Sequence, residues 1–87
     1  MYASILWGDR KKTTGDVETL WQRVAAQPGL VTAYVLANVD NMQDGLVLSI
    51  WESEEAFDAY AASSLRADVE AAGALDRKNY HVLRATV

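Results

Sequence analysis

The sequence predicts an α+β domain, a four-stranded antiparallel sheet with helices packed against one of its faces. Three observations carry that prediction. Residues 46–60, LVLSIWESEEAFDAY, pass from an apolar, β-branched and aromatic run suited to a buried strand into a helix start within two residues. The runs LVTAYVLA and LVLSIW flank a polar segment that ends in Asp44-Gly45, which is the pattern of an antiparallel hairpin. The strand-like segments also carry apolar or aromatic residues in both alternating sets, more than a sheet with one wetted face requires.

Taken in order, residues 2–7 (YASILW) read as the first strand, with Tyr2, Ser4 and Leu6 on one face and Ala3, Ile5 and Trp7 on the other; Gly8 and Asp9 end it. Thr13 and Asp16 fit a capping box, with Asp in place of the preferred Glu. Val17, Leu20, Trp21 and Val24 follow at i, i+3, i+4 and i+7, one stripe on a helix that Pro28-Gly29 stops. Residues 30–37 form the second strand, 38–45 a polar loop and 46–51 the returning strand. Ser53 is a good N-cap, since its hydroxyl can accept from a backbone N–H of the first turn, and Glu54 and Glu55 then lie at the positive end of the helix. Ala56, Phe57, Tyr60 and Ala61 continue the apolar pattern. Ser63-Ser64 interrupts it and can cap a second helical piece carrying Leu65, Val69 and Ala72, which Gly73 ends. Residues 79–87, NYHVLRATV, read as the last strand. The order β-α-β-β-α-β is the split βαβ of a ferredoxin-like sandwich.

Eighty-seven residues make one domain, 1–87, with a small core. A chain of this length buries roughly 60% of the surface its unfolded form exposes, so association is a natural way to complete the burial. Two helices cover one side of such a sheet, and the uncovered apolar side predicts a homodimer through the open sheet face. The absence of cysteine excludes disulfides, thiolate nucleophiles and Cys-bound metal. With no long apolar span and no basic-then-apolar start, a soluble cytoplasmic protein without membrane contact is expected. A formal charge of −4 argues against nucleic acid, and Arg10-Lys11-Lys12 reads as a solvated loop.

No nucleophile elbow, metal-ligand spacing or glycine-rich phosphate loop is present, so no metal and no cofactor are expected. Glu52, Glu54, Glu55 and Asp58 read as cap, dipole and solvated-face residues. What remains is an unusual aromatic content, three Trp, four Tyr and one Phe, with a single histidine.

The strand, Trp-Glu-Ser-Glu-Glu-Ala, aromatic-helix sequence of residues 50–60 resembles the antibiotic biosynthesis monooxygenase family. In these small dimeric α/β-barrel proteins a tryptophan commonly closes the third strand before a Ser-Glu-Glu helix start. The resemblance implies two sheets packed face to face into a dimeric barrel. It also implies oxidation of a small aromatic, quinol or polyketide-like substrate by dioxygen, with neither metal nor flavin. Such chemistry asks for an apolar cleft, aromatic walls and a group to hold an anionic oxygen. The candidates are His81, Tyr60 and Arg66 as catalytic residues, with His81 as proton acceptor and Arg66 as partner of a phenolate; Trp51, Tyr34, Phe57 and Trp7 are the candidates for substrate binding. Each has a packing reading beside it. Trp51 can seal the sheet end, Tyr34 and His81 can be ordinary strand residues, Phe57 and Tyr60 can be core, and Trp7 and Trp21 pack unless a pocket reaches them.

Haem-degrading members of the family resemble a different pattern, with an asparagine in the first strand and a helical histidine on iron. YASILW has no asparagine, and residues 53–73 have no histidine. A non-catalytic dimeric barrel that binds a small ligand or protein partner remains the alternative, with an isomerase or cyclase as a third class. A cavity of some hundreds of Å³ reached by Tyr34, Trp51 or His81 favours the enzyme, and interdigitated side chains disfavour it. Residues 9–12 and 40–45 are the candidate lids.

Overall fold

A computed structural model describes residues 1–9 and 17–85. Its elements are β1 (Tyr2–Asp9), α1 (Val17–Ala25), β2 (Leu30–Ala37), β3 (Asp44–Trp51), α2 (Glu54–Ala61), α3 (Ser64–Ala71) and β4 (Ala74–His81). The strands form one antiparallel sheet in the order β2-β3-β1-β4, the ferredoxin-like arrangement. The expected Thr13–Asp16 capping box lies outside the described residues, as does most of the loop expected at 9–12.

Register sorts the sheet into two faces. Toward the helices, rows running from β2 to β4 read Leu30, Trp51, Tyr2, His81; then Ala33, Ser49, Ser4, Asn79; then Val35, Val47, Leu6, Arg77; and finally, across the first three strands, Ala37, Gly45 and Gly8. The opposite face reads Thr32, Ile50, Ala3, Tyr80; Tyr34, Leu48, Ile5, Lys78; and Leu36, Leu46, Trp7, Asp76. Tyr2, Leu6 and Trp51 join Val24 of α1, Phe57 and Tyr60 of α2, and Leu65 and Val69 of α3 in the core. No helix covers the other face among the described residues, and Tyr34, at 55% exposure, Leu36 and Tyr80 stand open there.

The corner after β3 forms as the sequence predicts. The Ser53 hydroxyl accepts from the Ala56 N–H at 3.1 Å, and Glu54 and Glu55 occupy the first turn of α2. Gly29 brings the end of the α1 connection against that turn. Its φ of +83° suits glycine, its carbonyl accepts from the Glu52 N–H at 2.8 Å, and a Cβ there would stand 2.5 Å from that of Ala56. At the start of α3, Ser63 occupies the N-cap position but turns its hydroxyl back to the Tyr60 carbonyl, so the expected side-chain cap is not made.

The last strand differs from expectation. It runs Ala74–His81 instead of 79–87, because Gly73, with φ +123°, turns α3 directly into the β1 ladder, which then ends where Tyr2 meets His81. Beyond it the Val82 N–H reaches the Met1 carbonyl, and Leu83 is 95% exposed. The polar residues Asp76, Arg77 and Lys78, which lie before the strand expected at 79–87, are tolerated in β4 because it is an edge strand. The 38–43 loop is a built turn: the Asn38 and Asn41 side-chain oxygens accept from the Asp40 and Gln43 N–H groups at 2.8 and 3.2 Å. Among the described residues, no helix is long and apolar enough to cross a membrane.

Candidate functional site

A cavity of about 270 Å³ opens between the helices and the last two rows of the sheet. Val35, Val47, Leu6, Gly45 and Gly8 form its floor; Val17, Leu20 and Trp21 of α1 and Val69, Ala72 and Gly73 at the end of α3 form its ceiling. The amphipathic stripe of α1 turns Leu20 and Trp21 toward the sheet, and the facing glycines of β1 and β3 leave space beneath them. No lining side chain titrates.

At the other end of the same face the aromatic residues are packed against one another. Trp51, 1% exposed, stacks on Tyr60 at 5.1 Å and meets Phe57 edge-on at 5.8 Å, while Tyr2 lies 5.3 Å from Phe57. A polar line runs from this cluster toward the cavity. The Trp51 indole N–H donates to Ser49 Oγ at 3.0 Å, and that hydroxyl donates to the Ser4 carbonyl at 3.3 Å. Arg77 Nη1 donates to Ser4 Oγ at 2.6 Å. Arg77 Nε and Arg66 Nε both donate to Glu70 Oε1, at 3.4 and 2.9 Å. The Arg77 guanidinium also lies 5.5 Å from the Phe57 ring centroid, within cation–π range.

Charge in this cluster is set by burial and by the two arginines. Burial pushes the Tyr60 phenol above its usual value and outweighs Arg77, which donates a hydrogen bond to it, and Arg66, both of which pull it down, so Tyr60 is neutral at physiological pH. For Glu70 burial acts upward too, but the hydrogen bonds and charges of Arg66 and Arg77 prevail and hold the carboxyl below its ordinary value.

The structure thus brings some of the sequence candidates together and separates others. Tyr60 and Arg66 join one cluster, with Trp51 and Phe57 packed beside it. His81 stands at the end of β4, exposed, with its ring 5.5 Å from Tyr2. Tyr34 and Trp7 lie on the open face, where the Lys78 ammonium sits 5.8 Å from the Trp7 ring centroid. None of the seven lines the cavity, whereas Trp21 does.

Ser4, Ser49, Glu70 and Arg77 are not among the site candidates that the sequence offers. A serine on the inward face of each central strand, between large apolar residues, is the signal that could have found the first two, because a buried hydroxyl needs a partner. Arg77 was hidden by the late placement of the last strand. Among the described residues, no three His, Cys, Asp or Glu side chains group closely enough to hold a metal ion.

A ferredoxin-like domain with an aromatic core and a helix-side cavity is the class these features define. The family model of the antibiotic biosynthesis monooxygenases matches residues 12–72, and the chain belongs to that family. Membership supports a monooxygenase-type function. Among solved structures, a single-residue variant of SnoaB, a cofactor-independent oxygenase from Streptomyces nogalater, is similar at 16% identity, covering 97% of this chain and 94% of its own, with TM-score 0.71. A single-residue variant of MhuD, solved with two manganese protoporphyrin IX molecules per active site, is similar at 20% identity, with coverage of 100% and 99% and TM-score 0.65. A conserved protein from Methanosarcina mazei is similar at 10% identity, with coverage of 91% and 87% and TM-score 0.70. At these identities the likeness shows the fold. No curated protein sequence matches significantly.

Proposed function

We propose that this protein is a homodimeric, cofactor-independent monooxygenase that oxidises a small aromatic or quinol-type substrate with dioxygen in the helix-side cavity. The observation that carries this reading is an apolar cavity of about 270 Å³, partly open to solvent, in the sheet row that Arg77 completes. Its volume falls just under the roughly 300–1,000 Å³ of typical ligand sites, which favours one or two rings over a longer polyketide. In the reaction proposed, a ring methylene and dioxygen give a ring carbonyl and water. The deprotonated substrate supplies the electrons; one oxygen atom enters the product and the other leaves in water. The protein's part is to orient the ring, exclude bulk water and hold the developing anion.

Dimerisation belongs to the same proposal. A 9.6 kDa monomer is expected to expose about 5,100 Å², whereas this protomer exposes 5773 Å². The difference is close to the roughly 800 Å² that each partner buries in a standard interface. The open face, with Tyr34, Leu36, Leu48 and Tyr80, supplies the apolar area.

A second reading, a non-catalytic barrel that binds a small ligand, is favoured by the lack of any titratable side chain on the cavity wall and by the cavity's not being reached by Tyr34, Trp51 or His81. Oxygen uptake against a panel of hydroquinones and anthrones separates the two. The oxygenase reading expects uptake that Val47→Phe, which fills the cavity floor, abolishes. Ligand binding without uptake across the panel would establish the second reading instead.

A further inference from the structure

We propose that Arg77 makes the cavity selective for an anionic ligand, a one- or two-ring aromatic bearing a carboxylate or ionised phenol whose charge lies beside the guanidinium. The inference deepens the oxygenase reading and rests on the same cavity. Position is the first ground. Arg77 belongs to the sheet row whose other members, Leu6, Val47 and Val35, all line the cavity, and Leu6 is its cross-strand partner. Val69, next to Glu70 on α3, lines the ceiling.

The second ground is a charge imbalance. Two guanidinium groups converge on one carboxylate oxygen, so the cluster carries one positive charge more than it neutralises, inside a chain whose formal charge is −4. Arg77 is the more deeply placed cation, its side chain 11% exposed and its guanidinium set over the Phe57 ring. Charge held in so little water acts over longer distances and is costly to leave uncompensated. Tyr60 does not supply the missing negative charge, because burial keeps its phenol neutral.

The third ground is the donors that remain. A guanidinium has five N–H groups; the contacts to Glu70 Oε1 and Ser4 Oγ use two of them and a hydrogen bond to the Tyr60 phenol a third, so two remain. Ser4 is fully buried and fixed in the ladder with β3, so the guanidinium is held in place before any ligand arrives. If Arg77 served only to pair with Glu70, the carboxylate would already be matched and Arg66 would be surplus.

Calorimetric titration with 1-naphthoate and with the uncharged 1-naphthalenemethanol tests this. The wild type is expected to bind naphthoate at least about tenfold more tightly, the scale of a hydrogen bond to a charged group. Arg77→Met should erase that preference while the alcohol affinity stays within about twofold. Glu70→Gln should act in the opposite direction, strengthening naphthoate binding by removing the competing anion, so the test does not depend on how well the Arg77 variant folds. Equal binding of the two probes by the wild type, equal weakening of both in Arg77→Met, or weaker naphthoate binding in Glu70→Gln would each overturn the charge selection while leaving the cavity reading intact. Failure of both probes to bind would overturn both.

Discussion

Trp51→Phe separates the two roles open to the tryptophan that marks the end of β3. The substitution removes the indole N–H and one fused ring but leaves a six-membered ring to stack on Tyr60. Losing the 3.0 Å bond to Ser49 Oγ costs about 1 kcal/mol. The hydroxyl keeps its own acceptor in the Ser4 carbonyl, so it is not stranded. Full truncation of a buried Trp costs about 3–5 kcal/mol, and losing roughly a third of that packing adds about 1–1.5 kcal/mol. A total of about 2–2.5 kcal/mol lowers the melting temperature by about 10–20 °C in a domain of this size. Thermal unfolding by circular dichroism measures it, and 1-naphthoate titration accompanies it. With Trp51 outside the cavity wall, naphthoate affinity should change by less than about twofold. A melting temperature within about 3 °C of wild type, together with a large loss of naphthoate binding, would put the indole in the ligand site and refute the division of this face into core and cavity.

Two further outcomes bear on assembly and on acid stability. Leu48 lies mid-row on the open face between Ile5 and Tyr34, so Leu48→Glu should place an unpaired carboxylate from each protomer in the proposed interface. At several kcal/mol for the buried charges, the dissociation constant should rise by at least about a hundredfold; sedimentation velocity reads this, and a wild type that itself sediments as a monomer would dismiss the interface. Because Glu70 is held below its ordinary value of 4.5 when folded, its contribution is complete above that pH and disappears as the pH falls through the lower folded value. Glu70→Gln should therefore lose less stability than wild type on acidification below about pH 4.5, followed by urea midpoints; parallel curves would show that the arginine contacts do not persist in solution.

Legibility in the sequence followed locality. Asp44-Gly45 marked the 30–51 hairpin and Ser53 marked the α2 corner, because turn and cap chemistry are carried by two or three adjacent residues. The register offset at Leu30/Thr32, which leaves Val31 unpaired, had no such marker. The last strand begins earlier than the sequence predicts because its polar middle, Asp76 to Asn79, carries no strand signal and its register is imposed by β1, some seventy residues away. That error also hid the site. Once Arg77 is paired with Leu6, its approach to Glu70 and Ser4 follows, whereas a loop arginine at the same position predicts nothing. The cavity was illegible for a different reason: Leu6, Leu20, Trp21 and Val47 each read individually as core, and only their failure to fill the space between them makes a site.

That failure has an identifiable cause. Gly8 faces Gly45 across β1 and β3, and Ala72 and Gly73 lie above them, so small residues meet where the sheet and α3 diverge. An apolar space of 270 Å³ left unfilled forfeits up to about 6 kcal/mol at roughly 24 cal/mol per Å³. The opening to solvent reduces that loss, but water finds few partners among Leu, Val, Trp and Gly side chains. Even part of that loss is a noticeable fraction of the roughly 4–13 kcal/mol of total stability expected for 87 residues. Larger residues at Gly8 and Gly45 would remove it, as would bringing α1 down onto β3. A ring ligand recovers the same free energy on binding, and it can do so only while those four positions stay small.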